Sequence, residues 1–206
     1  MRTPNTRPRP GMTRHRRLRP IALAVATTAA VTLPVTTAAH ATDRPAFAYN
    51  RLDITMQAQQ KSNWCWAASG TTIATWFGRK YSQNQFCNAA FGRQQGSDCP
   101  NYQATLGNVQ DGLSWASVSP GSYVTGWLRY PTVRTEIDAN RPVETRIQWA
   151  GGGGHMHVLY GYDDASSWVY WGDPWPSNSR YNWASHDWYV SNDSFSWTHS
   201  LYRIGA

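Results

Sequence analysis

Two rhythms of apolar and polar positions divide this chain. From Cys65 a run of small and aromatic residues places Trp66, Gly70, Ile73 and Phe77 three or four positions apart, which predicts a helix that stops at Gly78. A second helix is predicted after Ser82, through Phe86 and Ala90 to Gly92, a third over 106–115, and a fourth over 132–139, where Val133 and Ile137 lie four apart. Leu52, Ile54 and Met56 alternate as a short strand does. Beyond Pro142 the segments 143–149, 155–162, 168–171 and 200–204 are short, β-branched or aromatic, and separated by Gly, Asp and Asn. Helices first and strands second predict an α+β domain whose halves face each other across a cleft, a common place for an active site.

Composition supports a packed domain. The chain has 206 residues, 14% of them aromatic and only 15% charged, which is the opposite of a disordered composition. A formal charge of +7 suggests a nucleic-acid partner until its location is read. Arg2, Arg7, Arg9, Arg14, Arg16, Arg17 and Arg19 crowd the first twenty residues, and no acidic residue precedes Asp43. An apolar stretch over 21–35 and the small-residue pattern Ala39-His40-Ala41 follow, in the order of an export signal spanning 1–41. That stretch is too short and too threonine-rich to span a bilayer, so no stable membrane anchor is expected after cleavage. Arg16-Arg17 leaves a twin-arginine route open beside general secretion. Without the signal the basic and acidic residues balance at twelve each, and a nucleic-acid partner loses its main support. The reading is a secreted, extracellular monomer with a short segment at 42–58 and a working domain at 59–206.

Export sets the redox state of the cysteines, because outside the cytosol two thiols at workable spacing oxidise. Cys87 and Cys99 enclose a polar loop, and a bridge between them is expected to stabilise by about 3 kcal/mol on the loop-closure model. Cys65 is then left over. An unpaired cysteine in a secreted chain is buried and inert, intermolecular, or reactive.

The third option needs partners. Cys65 falls in the first turn of its predicted helix, where unpaired N–H groups and the dipole favour an anion. That effect is worth about 0.3–1 kcal/mol, well short of what holds a thiolate at neutral pH. An imidazolium nearby suits the task, since the same ring can later give its proton to a leaving group. His155 follows four glycines and opens the apolar strand of 155–162, which leaves its ring open to a cleft; His157 shares that face but lies deeper. Asp173, between Trp171 and Trp175 after the next strand, is placed to hold the imidazole in one tautomer. Gln59 and Gln60, six and five residues before Cys65, each offer an amide donor for an oxyanion.

Gln59, five intervening residues and then Cys65-Trp66-Ala67 resembles the signature of papain-type cysteine peptidases at the head of their central helix. His155 with Gly161-Tyr162 six positions on is similar to the family's histidine strand. Asp173-Pro174-Trp175 stands where papain has asparagine, serine and tryptophan, which makes Trp175 the shielding indole. The stretch from Trp64 to Ala68 and the aspartate in third place are more similar to the compact bacterial branch, which includes secreted effector proteases of plant pathogens. The resemblance implies a papain-like two-lobed α+β fold, with the nucleophile helix in a helical N-terminal lobe and an antiparallel β lobe after it. It also implies a peptide or protein substrate, no cofactor, and hydrolysis through a thioester acyl-enzyme. Cys65 would attack, His155 would act as base and then acid, Asp173 would orient it, and Gln59 would hold the oxyanion. The 42–58 segment is too short for a folded pro-region, so the exported chain is expected to act without removal of a large propeptide.

Other readings use the same residues. The triad chemistry also serves acyl transfer, deamidation or cleavage of peptidoglycan peptides. His155 and His157 with Asp163 or Asp173 could hold a metal, although no third ligand stands at firm spacing. Trp183, Trp188 and Trp197 could form a sugar-binding platform in a non-catalytic module.

Overall fold

Local signals and burial set the helices of the computed structural model, which describes residues 48–206; the export signal read at 1–41 lies outside the described residues. Helix α1 (Cys65–Trp76) is buried from Trp66 to Ala74, nearly all the way round. Its hydroxyls are satisfied within the helix, with Ser69, Thr71 and Thr72 donating to the carbonyls of Cys65, Ala67 and Ala68. It ends at Phe77, and the Gly78 N–H turns back to the carbonyl of Thr75, as the sequence predicts. Helices α2 (Gln83–Ala90) and α3 (Leu106–Trp115) each open on a capping box, Ser82 with Gln85 and Thr105 with Asn108. Helix α4 (Tyr130–Asp138) carries Pro131 in its first turn, where the missing N–H is harmless.

Phe86 of α2 wedges the helical layer together. Its ring is fully buried between Gly70 of α1 and Gly112 of α3, and a methyl group at either glycine would come within 2.5 Å of it. Gly70→Ala is expected to destabilise by about 1–3 kcal/mol through overpacking. Gly107→Ala, on the exposed side of α3, should instead stabilise by up to about 1 kcal/mol. Urea midpoints of the two variants check this; coincident midpoints would show that the ring yields.

The strands are β1 (Tyr49–Arg51), β2 (Ser122–Thr125), β3 (Val143–Trp149), β4 (Gly154–Asp163), β5 (Trp168–Gly172), β6 (Tyr181–Ser185) and β7 (Phe195–Tyr202). They form one antiparallel sheet in the order β2-β7-β3-β4-β5-β6. β1 pairs with Gly161–Asp163 of β4, beyond the stretch that β3 covers. A short helix, α5 (His186–Val190), lies between β6 and β7 and buries Tyr189. One continuous core joins Ile73 of α1 and Phe86 of α2 to Val158 and Leu159 of β4. Among the described residues no helix is long and apolar enough to cross a membrane.

The expected α+β order is present, with two kinds of departure. Leu52, Ile54 and Met56 are buried and Asp53 and Thr55 exposed, yet the strand is at Tyr49–Arg51. Of the three, only Leu52 donates to a sheet carbonyl, that of Tyr160; the Met56 N–H goes to the Tyr181 hydroxyl. Burial alternates there without a ladder. The sequence reading also lacks β2, β6 and α5, and starts the last strand at 200 rather than at Phe195. β2 and β6 are the sheet's edges, where exposed residues such as Tyr123 and Trp183 weaken the period.

Candidate active site

The turn that presents Cys65 is fixed from outside α1. Cys87 and Cys99 are bridged as the sequence predicts, which ties the segment 98–102 to α2. That segment carries the acceptors for both indoles beside the thiol: Trp64 Nε1 donates to the carbonyl of Pro100 at 3.0 Å and Trp66 Nε1 to that of Tyr102 at 3.1 Å. Asn63 donates two hydrogen bonds of 2.9 Å to Asn101, from its backbone N–H to Oδ1 and from Nδ2 to the carbonyl, and Lys61 reaches Asp98 at 2.8 Å. Trp64 and Trp66 are buried while the free thiol between them is partly exposed. The Cys65 N–H meets no acceptor among the described residues, the state expected of a first-turn donor.

Gly152 and Gly153, both with positive φ, make the turn from β3 into β4 and set His155 at the second position of the new strand. Its ring is buried, stacked on Trp149 at 5.9 Å with the edge of Trp175 at 6.1 Å. Nε2 lies 2.7 Å from Asp173 Oδ1, and the ring lines the same cavity as the Cys65 thiol. Burial opposes a charge on this ring. The hydrogen bonds and charges of Asp173 and Cys65 outweigh it and raise the His155 pKa to about 9.

Asp173 follows β5 and is buried with a full set of donors. Besides His155, it accepts from the Trp175 N–H and from Asn178 Nδ2, each at 2.8 Å. Burial pushes its carboxyl up, but the hydrogen bond from His155, and after it the nearby His157 ring, win and hold it well below the usual carboxylate range. The loop behind is closed by the Asp173 N–H on the Arg180 carbonyl and by the Arg180 guanidinium on the Asp173 carbonyl.

His157 lies apart from the thiol. Its Nδ1 meets the Tyr189 hydroxyl at 3.1 Å, and its Nε2 stands 3.6 Å from Asp173 Oδ2. Burial keeps this ring below its ordinary pKa and therefore neutral near pH 7. The metal reading finds His155, His157 and Asp173 clustered, with ligand atoms within 4.8 Å of one another. The direct 2.7 Å bond between His155 and Asp173 occupies the space that an ion would need. Asp163 is at the other end of β4, eight residues along the strand.

Gln59 is buried and Gln60 exposed. The Gln59 backbone donates to the carbonyl of Pro174, which ties the start of the Cys65 turn to the aspartate loop. Its Nε2 donates to the carbonyls of Lys61 and Ser62 at 3.0 and 2.8 Å, and its Oε1 is buried without a partner. Cys65, His155, Trp149, Trp175 and Asn178 line one cavity of about 320 Å³. Of the three tryptophans weighed as a sugar platform, Trp183 and Trp188 are exposed but Trp197 is buried core.

Sequence reasoning missed several participants. Asn178 carries a weak signal, an amide five residues after Asp173. Glu144 carries a stronger one, an acid inside an apolar strand. It is fully buried in β3, and burial raises its pKa to about 8 against the opposing effect of the Ser69 hydrogen bond. Near neutral pH it is a carboxylic acid, 2.6 Å from the Ser69 hydroxyl, which in turn reaches the Cys65 carbonyl at 2.8 Å. The first turn of α1 is thereby tied to the sheet.

Residues 48–194 match a family described as papain-like cysteine protease AvrRpt2. The fold is similar to the peptidase domain of Streptococcus ComA, a bifunctional ABC transporter involved in a quorum-sensing pathway. That match has a TM-score of 0.51 and 16% identity, over 71% of this chain and 95% of the other. It is also similar to a double-glycine-motif protease from an AMS/PCAT transporter, solved with the leader peptide, at TM-score 0.50 and 15% identity over 76% of this chain and 95% of the other. No curated protein matches the chain in sequence.

Proposed function

The chain belongs to the papain-like cysteine protease AvrRpt2 family, and from that premise we propose that it is a secreted cysteine endopeptidase working through Cys65, His155 and Asp173. The family implies a peptide or protein substrate. The observation that carries the assignment is a free thiol, Cys65, sharing one cavity with a buried imidazole, His155, whose Nε2 meets Asp173 at 2.7 Å. The His155 pKa of about 9 supports an imidazolium at neutral pH in the cavity that holds Cys65.

In the first step the sulfur adds to the scissile carbonyl carbon and the carbonyl oxygen becomes an oxyanion. The unpaired Cys65 N–H supports a donor to that oxygen. Gln59 Nε2 supplies a second on exchanging the Lys61 or Ser62 carbonyl for it. As the C–N bond breaks, His155 gives its Nδ1 proton to the leaving amine and a thioester remains. Water then attacks the thioester while the neutral ring takes a proton from it. The C–S bond breaks, the acid product leaves, and the thiolate–imidazolium pair returns. Trp149 and Trp175 cover the ring and keep water from the bond to Asp173.

Export rests on the order of the first 41 residues and is supported by the Cys87–Cys99 bridge, a bond that persists in oxidising compartments. The test of the whole reading is a peptide carrying an electrophilic carbonyl, incubated with the protein and followed by mass spectrometry. One adduct on Cys65 is expected, lost in His155→Ala. The uncapped parent peptide should yield two fragments whose masses sum to that of the peptide plus one water. Labelling that persists in the histidine variant, or a substrate modified but left whole, would overturn the endopeptidase.

A further inference from the structure

The cavity that holds Cys65 and His155 shares Gln103, Ala104, Arg146 and Met156 as lining residues with a second one of about 700 Å³. None of the residues lining either cavity is acidic, and no carboxylate among the described residues lies within salt-bridge distance of Arg146. The guanidinium is held in place by neutral groups. Nη1 donates to Thr198 Oγ1 at 2.8 Å and Nη2 to Gln148 Oε1 at 2.9 Å, which leaves three of its five N–H groups without an acceptor among the described residues. It lies flat on Gly154, next to His155 in the chain; a side chain there would come within 2.6 Å of Nη2. His199, which lines the second cavity together with Tyr123, is kept below its ordinary pKa by burial and then by Arg146, and adds no compensating charge.

A planar cation with free donors, fixed beside the reacting groups in a groove that lacks an anion, is built for a carboxylate. We propose that Arg146 is a specificity residue that binds the carboxylate of a peptide substrate in the second cavity. The proposal rests on the peptidase reading for its substrate class. A side-chain carboxylate of Asp or Glu and a free peptide C-terminus share the same chemistry, and the test separates them.

One glutamate is moved through successive positions of a cleavable peptide, with glutamine at each position as the control and with free and amidated C-termini. At one position the wild type should prefer glutamate by about tenfold in kcat/KM, the usual scale of a charge-assisted pair. That ratio should collapse toward one in Arg146→Gln, recover in part in Arg146→Lys, and invert toward a lysine peptide in Arg146→Glu. A preference that follows the free C-terminus identifies the terminal carboxylate as the ligand. The same peptides are titrated by calorimetry against Cys65→Ala and against Cys65→Ala with Arg146→Gln, so that binding is read without turnover. Cleavage with no acidic preference at any position, or a preference untouched by Arg146→Gln, overturns the assignment and leaves the peptidase standing. Acid-selective binding that needs Arg146, in a protein that cleaves none of the peptides, supports the pocket and overturns the peptidase.

Discussion

Cys65→Ser is expected to lower kcat/KM by about four to six orders of magnitude, the scale seen when a nucleophile is removed from a catalytic unit. The change replaces one chalcogen by a smaller one at a partly exposed position. The indoles of Trp64 and Trp66 keep their acceptors on the disulfide-tied segment, so the fold should persist. Circular dichroism and the urea midpoint should therefore match the parent, with the midpoint within about 0.5 kcal/mol in free energy. The loss has a specific origin. A serine hydroxyl is a far weaker acid than a thiol and needs the ring as general base, while Asp173, which remains in the variant, favours the protonated ring that cannot act as one. Residual turnover above a thousandth of the parent would mean that another group attacks the peptide.

Much of this site was legible before any coordinates, because its parts obey local rules. Helix α1 follows a helical rhythm and stops at a glycine, and the thiol stands at its first residue. His155 could be separated from His157 only as the one nearer the strand's end. The structure adds what strand position cannot, that His157 Nδ1 is taken by Tyr189, a residue 32 positions downstream. What stayed hidden depends on contacts between distant segments. The short helix that carries Tyr189 has five residues, too few for a readable period. Asn101 and Asn63 are ordinary loop asparagines until the disulfide brings their segments together. Arg146 looks like a solvated strand charge in sequence; only the two cavities reveal that it faces a groove without anions. Edge strands were missed for the converse reason, since their exposed aromatics conceal the alternation that buried strands display.

Asp173→Asn is expected to cut kcat/KM by about 10²-fold or more and to shift the alkaline limb of its pH profile. Asparagine can still accept from His155 Nε2, so the ring stays in place, but the fixed negative charge is gone. Its amide also points two hydrogens toward Asn178, whose own amide donates to Asp173 Oδ2 in the parent. The direction of the pH shift follows from the balance at His155. Burial lowers its pKa, and the hydrogen bond to Asp173 is the largest of the effects that raise it to about 9. In the parent the protonated ring, and with it activity, survives until pH rises through about 9. In the variant burial is opposed mainly by Cys65, so the limb moves to lower pH. Stability follows the same sign. A histidine whose folded pKa lies above its unfolded value near 6.5 contributes fully below that value and loses the contribution as pH rises through about 9. Asp173→Asn should shrink that contribution, so that the gap in urea midpoint between parent and variant is largest just below about 6.5 and narrows as pH rises through about 9. Rates measured from pH 5 to 10 on both proteins decide the matter. An alkaline limb that stays fixed while the rate falls would show that Asp173 acts only by holding its loop, and that the charge on His155 is set elsewhere.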